Sequence, residues 1–132
     1  NHALINHVKQ DWQLWDKTLR EIILDLGTLP CHVVMTAHLT LIKDEITGKT
    51  VAHILSPGQA KYWLPMLFSE VYVLVSTPST KGLERKMITA NNSYYVAKTR
   101  IGSNKFELFE EPNMKDLLKK SNYPYERIHC VK

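Results

Sequence analysis

Between a proline and a histidine lies the stretch that most restricts how this chain can fold, Val33-Val34-Met35-Thr36-Ala37-His38. Three apolar residues, two of them β-branched, run into a small pair and end on His38. Gly27 and Pro30 before the run stop a helix, and polar residues follow it. A short apolar run bounded in this way fits a strand over 32–37 buried on both faces, as at the centre of an α/β sheet. Ligands of such sheets sit beyond the carboxyl ends of the strands, so the side chain that ends the run stands where chemistry is done. That side chain is His38.

The residues around the run supply the partners such a strand needs. Trp12, Trp15, Leu19, Ile22, Ile23 and Leu26 recur at the spacing of one helical face, which predicts an amphipathic helix over 11–26 with the two tryptophans in the core. A shorter helix is expected over 3–8. Beyond His38, two alternating segments flank a charged tip with Thr47-Gly48, the signature of a β-hairpin spanning 39–55. A short helix begins near Ala60 and is disturbed by Pro65. Further strands are expected at Val71–Val75, Arg85–Thr89, Tyr94–Thr99 and Phe106–Phe109, with a turn at Pro78–Gly82. Pro112-Asn113 opens a last helix over Met114–Lys120, and Tyr123–Lys132 reads as an irregular arm. The expected fold is α/β: a partial, mixed sheet with buried central strands, flanking helices and a projecting hairpin, in a single domain over 1–132. The carboxyl-terminal helix and tail occupy 111–132.

Composition narrows the function. With 132 residues the chain is of one-domain size, and its net charge of +4 suits either a polyanionic partner or a merely basic surface. The two cysteines, Cys31 and Cys130, sit far apart, and no CxxC or paired Cys/His spacing exists. A reduced, intracellular setting follows from that usage. No apolar run approaches the length of a membrane span, so no membrane partner is expected. The six histidines show no HExxH spacing, and no nucleophile motif stands out.

Taken in order, these pieces resemble a family. The helix with Asp11-Trp12, the run ending Thr36-Ala37-His38 and the tip Lys43-Asp44-Glu45-Ile46-Thr47-Gly48 come first. Leu64-Pro65, Phe68-Ser69-Glu70-Val71 and Lys98-Thr99-Arg100-Ile101-Gly102 follow. Over roughly residues 11 to 120 the chain resembles the carboxyl-terminal half of phage-encoded RecA-like P-loop ATPases, the AAA-type nucleotide-binding proteins of phage recombination modules. The resemblance implies a RecA-like sheet and a cytoplasmic setting in a phage-infected bacterial host. It also assigns candidate catalytic residues. His38 takes the place of the γ-phosphate sensor, although the same histidine suits capping a strand. The hairpin corresponds to the loop that meets single-stranded DNA, with Lys43 and Lys49 as candidate backbone contacts. Lys98 and Arg100, alternating on one strand, correspond to the basic pair that reaches a neighbouring subunit's nucleotide, which implies self-association into a ring or filament. A fixed guanidinium there stabilises charge that develops at the γ-phosphate.

Two parts of such an ATPase are missing from the sequence. It has no GxxxxGK[ST] loop, and no apolar strand ending in aspartate precedes the first helix. Both are expected upstream of Asn1, in a longer parent protein that would bind ATP and Mg²⁺. This chain alone is expected to bind neither tightly. The alternative is a non-catalytic basic α/β binding or structural module.

Overall fold

The computed structural model describes residues 2–124, with side chains from residue 11 onward. The described residues are mixed α/β, with three helices and two small antiparallel sheets. The chain divides into two compact units, Asn1–Phe68 and Ser69–Lys132.

The first unit opens with α1 (His2–Leu26), one continuous helix in place of the two expected. Gly27 ends it, donating its N–H to the Ile23 carbonyl at 3.0 Å, and the Thr28 hydroxyl donates to the Asp25 carbonyl. A hairpin of β1 (Leu39–Lys43) and β2 (Thr50–Ile54) follows, then α2 (Ala60–Leu67). Pro65 lies inside α2, where its ring replaces one backbone donor, and is itself buried. Ile23, Ala60, Trp63 and Leu64 form the core, with Leu19, Ile54 and Phe68 packed against it.

The helical period in α1 was legible, but the face it buries is smaller than the stripe suggests. Trp12, Trp15, Ile22 and Leu26 are exposed, and only Ile23 of the stripe is buried. Length explains this. At about 1.5 Å per residue, α2 spans roughly 12 Å and cannot cover a helix of roughly 37 Å. The tryptophans are therefore surface residues here and not core.

The run at 32–37 is the main departure. It forms no strand; residues 32–38 are irregular, with Val34 70% exposed and Met35 43% exposed. A strand buried on both faces needs a hydrogen-bonded neighbour on each side. Among the described residues none is offered, and apolar composition alone does not hold a strand in place. The expected partial sheet with buried central strands is replaced by two separate antiparallel sheets.

The second unit contains β3 (Val73–Ser79), β4 (Gly82–Ile88) and β5 (Phe109–Glu110), in spatial order β3-β4-β5, followed by α3 (Met114–Ser121). β3 starts two residues later than expected and runs through Pro78. Ser79 and Gly82 are the closing pair of a two-residue turn, so Pro78, opposite Leu83, falls at a non-hydrogen-bonded position. Its missing N–H would point away from β4, which is why the edge strand accepts it. Gly82, at φ +116°, provides the backbone that the turn requires. Tyr94–Thr99 does not form a regular strand; Lys98 makes an isolated antiparallel bridge with Val71. Val73, Ile88 and Ala97 form the core, lined by Val75 and Tyr95. Asn113 caps α3 by accepting from Lys115 and Asp116 N–H, and Asn122, at φ +61°, closes it. The arm from residue 125 lies outside the described residues.

One long-range polar contact in the first unit tests its packing. The buried Trp63 donates its indole N–H to Asp16 Oδ1 at 2.9 Å. Asp16→Ala leaves that donor without a partner and should cost about 1–2 kcal/mol, read as a lowered urea midpoint. Asp16→Asn keeps an acceptor oxygen and should recover most of the loss.

Candidate functional site

The hairpin tip is shaped by Asp44. Its Oδ1 accepts from the N–H groups of Ile46 (2.8 Å) and Thr47 (2.9 Å), and its own N–H donates to the Lys49 carbonyl at 2.8 Å. Gly48, at φ +69°, completes the turn. The Thr47 and Ile46 N–H groups hold the Asp44 carboxyl below its ordinary value. Asp44 is thus engaged in building the turn. Lys43 and Lys49 flank that turn, both exposed, and the Ile46 side chain between them is 96% exposed. At the hairpin's base, the Leu55 N–H donates to the His38 carbonyl at 2.7 Å. His38 is exposed and sits at the end of the irregular segment, not at the end of a central strand.

In the second unit one carboxylate gathers the segment that carries Lys98 and Arg100. Glu70 Oε2 accepts from the Tyr72 hydroxyl at 2.6 Å and from the Thr99 hydroxyl. Glu70 Oε1 accepts from the backbone N–H groups of Arg100 (2.7 Å) and Ile101 (3.0 Å). The Thr99 oxygen in turn accepts from the Gly102 N–H at 2.9 Å. Partial burial alone would push the Glu70 carboxyl up. The hydrogen bonds from Thr99, Tyr72, Ile101 and Arg100 outweigh it and hold the group below its ordinary value. Burial first, and then the adjoining carboxylate, push the Tyr72 phenol far up.

Lys98 and Arg100 flank Thr99 at the end of the isolated bridge, and no regular ladder fixes them as alternating strand residues. They remain electrostatic neighbours. Partial burial, then the positive charge of Arg100, hold the Lys98 ammonium below its ordinary value, against the opposing pull of Glu70. Arg100 is exposed, and among the described residues its guanidinium forms no ion pair. No motif in the sequence assigns Glu70 a role. The available signal was a lone carboxylate directly ahead of an apolar run, in a chain that also carries Thr-Arg-Ile-Gly.

Elsewhere in the first unit, Trp12 and Trp15 meet edge to face at 6.4 Å and line an open cleft of about 560 Å³ with Lys17, Arg20, Pro57 and Gly58. The Arg20 guanidinium lies 4.6 Å from the Trp63 ring centroid, a cation–π distance. Among the described residues no group of three or more His, Cys, Asp or Glu side chains is arranged to hold a metal, and no helix is long and apolar enough to cross a membrane. Against protein-family models, curated proteins and solved structures, no significant match to the chain was found.

The loop after Thr99 is closed by one tight contact. A Cβ at the buried Gly102 would lie 2.0 Å from the Phe106 ring. Gly102→Ala should therefore destabilise the fold by about 1–3 kcal/mol in denaturant titrations. Adding Phe106→Ala should make the pair cost less than the sum of the two single changes.

Proposed function

We propose that the chain is the carboxyl-terminal portion of a RecA-like phage ATPase that acts on single-stranded DNA in recombination or annealing. One observation carries this reading: Arg100 is exposed without an ion-pair partner among the described residues, beside Lys98, on a loop whose backbone is tied to Glu70. A guanidinium carried on a fixed backbone, with no carboxylate competing for it, is available for charge stabilisation at a phosphate. In this reading Arg100 acts across a subunit interface, Lys98 adds a second positive charge, and the protein works as an oligomer.

The chain's own residues fit only part of the ATP and Mg²⁺ chemistry. They offer two cations for the outer phosphate but no phosphate-cradling loop, so ATP and Mg²⁺ are assigned to the upstream part of the parent protein. In this reading His38, exposed at the base of the hairpin, serves as γ-phosphate sensor. The hairpin contributes Lys43 and Lys49 to single-stranded DNA, with Asp44 drawn into the turn.

A second reading, a non-catalytic basic α/β binding or structural module, is favoured by the strand pairing. Both sheets are antiparallel, and no parallel pair exists among the described residues. ATPase measurements on the full-length protein separate the two. Arg100→Ala should lower DNA-stimulated turnover by about a thousand-fold while nucleotide affinity stays nearly unchanged. Unchanged turnover would favour the binding module.

The hairpin has its own test. Replacing both Lys43 and Lys49 with alanine should weaken binding to oligo-dT of any length. It should also flatten the slope of log affinity against log salt by about 1.4, from two lost phosphate contacts at about 0.7 each. An unchanged slope would remove the hairpin from the DNA contact.

A further inference from the structure

The charged groups of the second unit fall into two kinds. Two carboxylates are ion-pair partners: the exposed Glu84 pairs with Lys86 at 3.1 Å, and the largely covered Glu110 with Lys120 at 2.6 Å. Glu70 differs from them. It makes no ion pair among the described residues, and both its oxygens are spent on neutral donors. Those donors belong to the strand approach on one side and to the Thr99–Ile101 turn on the other.

We infer that Glu70 and Thr99 together are positioning residues for Arg100, fixing the backbone from which its guanidinium reaches phosphate. The inference rests on the function proposed above. The geometry has three parts. The Arg100 N–H itself is one of the donors, so the carboxylate holds the residue at its backbone nitrogen and leaves the side chain outside. The Ile101 N–H lands on the same oxygen, which fixes the peptide that follows. Thr99 then works in both directions: its hydroxyl donates to Glu70 and accepts from Gly102 N–H, closing the turn on its far side. Gly102 is buried against the Phe106 ring, so the end of the turn cannot drift outward without breaking that packing. Phe106 itself tilts against Tyr72, with ring centroids 6.4 Å apart, and Tyr72 donates to Glu70. The loop is thus held both by hydrogen bonds at its start and by ring packing at its end.

Chemically, the arrangement separates two duties of charge. A carboxylate paired directly with the Arg100 guanidinium would compete with phosphate for it. Placed on the backbone N–H groups instead, the same negative charge orders the loop and leaves the guanidinium available. It also opposes the depression of the Lys98 ammonium by its surroundings, which favours the charged form of the second cation.

The test uses the full-length protein and reads two independent quantities. Hydrogen exchange at the Arg100 and Ile101 amides reports the loop directly, whatever the protein does. Glu70→Ala should raise those exchange rates by about ten-fold or more, about 1.4 kcal/mol of lost protection. Thr99→Val should act in the same direction and Thr99→Ser should not. Glu70→Gln, which can keep one carbonyl oxygen on both N–H groups, should be intermediate, and it keeps the question answerable if Glu70→Ala fails to fold. The second reading is turnover: Glu70→Ala and Thr99→Val should lower kcat with KM for ATP little changed, and should add nothing in an Arg100→Ala background. A merely structural role would instead worsen the Arg100→Ala variant further. If Arg100→Ala reduces turnover but Glu70→Ala leaves either exchange or kcat unchanged, the positioning role is overturned and the ATPase reading stands. If Arg100→Ala leaves turnover unchanged, the ATPase reading is overturned, and the positioning role falls with it.

Discussion

The second unit depends on a charge kept in a place that resists it. Partial burial raises the free energy of the ionised Glu70 carboxyl, and four hydrogen bonds lower it by more. Those bonds replace a ladder. The segment 94–99 makes an isolated bridge to Val71 at Lys98, and the backbone beyond it has no strand to follow. The carboxylate satisfies the backbone N–H groups of Arg100 and Ile101 beyond that bridge. Sign follows from the direction of the shift. A glutamate held below its ordinary value of 4.5 stabilises the folded state fully above that pH, and the contribution fades as pH falls through the lower folded value.

A second regularity runs through both units. Asp44, Asn92 and Asn113 each accept with a side-chain oxygen from the N–H groups two and three residues on. In each place the side chain replaces a turn of backbone hydrogen bonding and fixes the direction in which the chain leaves: into a hairpin tip, towards Tyr94-Tyr95, and into α3. Local polar chemistry of this kind specifies direction where the cores are small.

That locality decides what could be read from the sequence. The hairpin at 39–55 was legible because Asp44, Thr47 and Gly48 determine its tip within six residues. The helices at 11–26, 60–67 and 114–120 were legible because period and caps are local too. The run 33–37 was not, since a buried strand is defined by neighbours that composition does not name. The same holds for Trp12 and Trp15: their spacing states a face, and only the length of α2 states how much of it is covered. Glu70 was missed for a related reason. Three of its four partners lie about thirty residues away, and a solitary glutamate carries no spacing that announces them. His38 stands out at the end of the apolar run, while the roles of His38, Lys43, Lys49, Lys98 and Arg100 come from the resemblance; of these the structure shows Lys98 and Arg100 as neighbouring charges.

The proline in β3 has a bearing on assembly. Pro78 turns a missing donor towards the open side of its strand, so that border of the sheet offers an incoming chain an interrupted row of hydrogen-bonding groups. The opposite border is shared between β5, two residues long, and residues 82–86 of β4, which pair with no strand on that side among the described residues. Growth of this sheet by strand addition is therefore discouraged at the β3 margin.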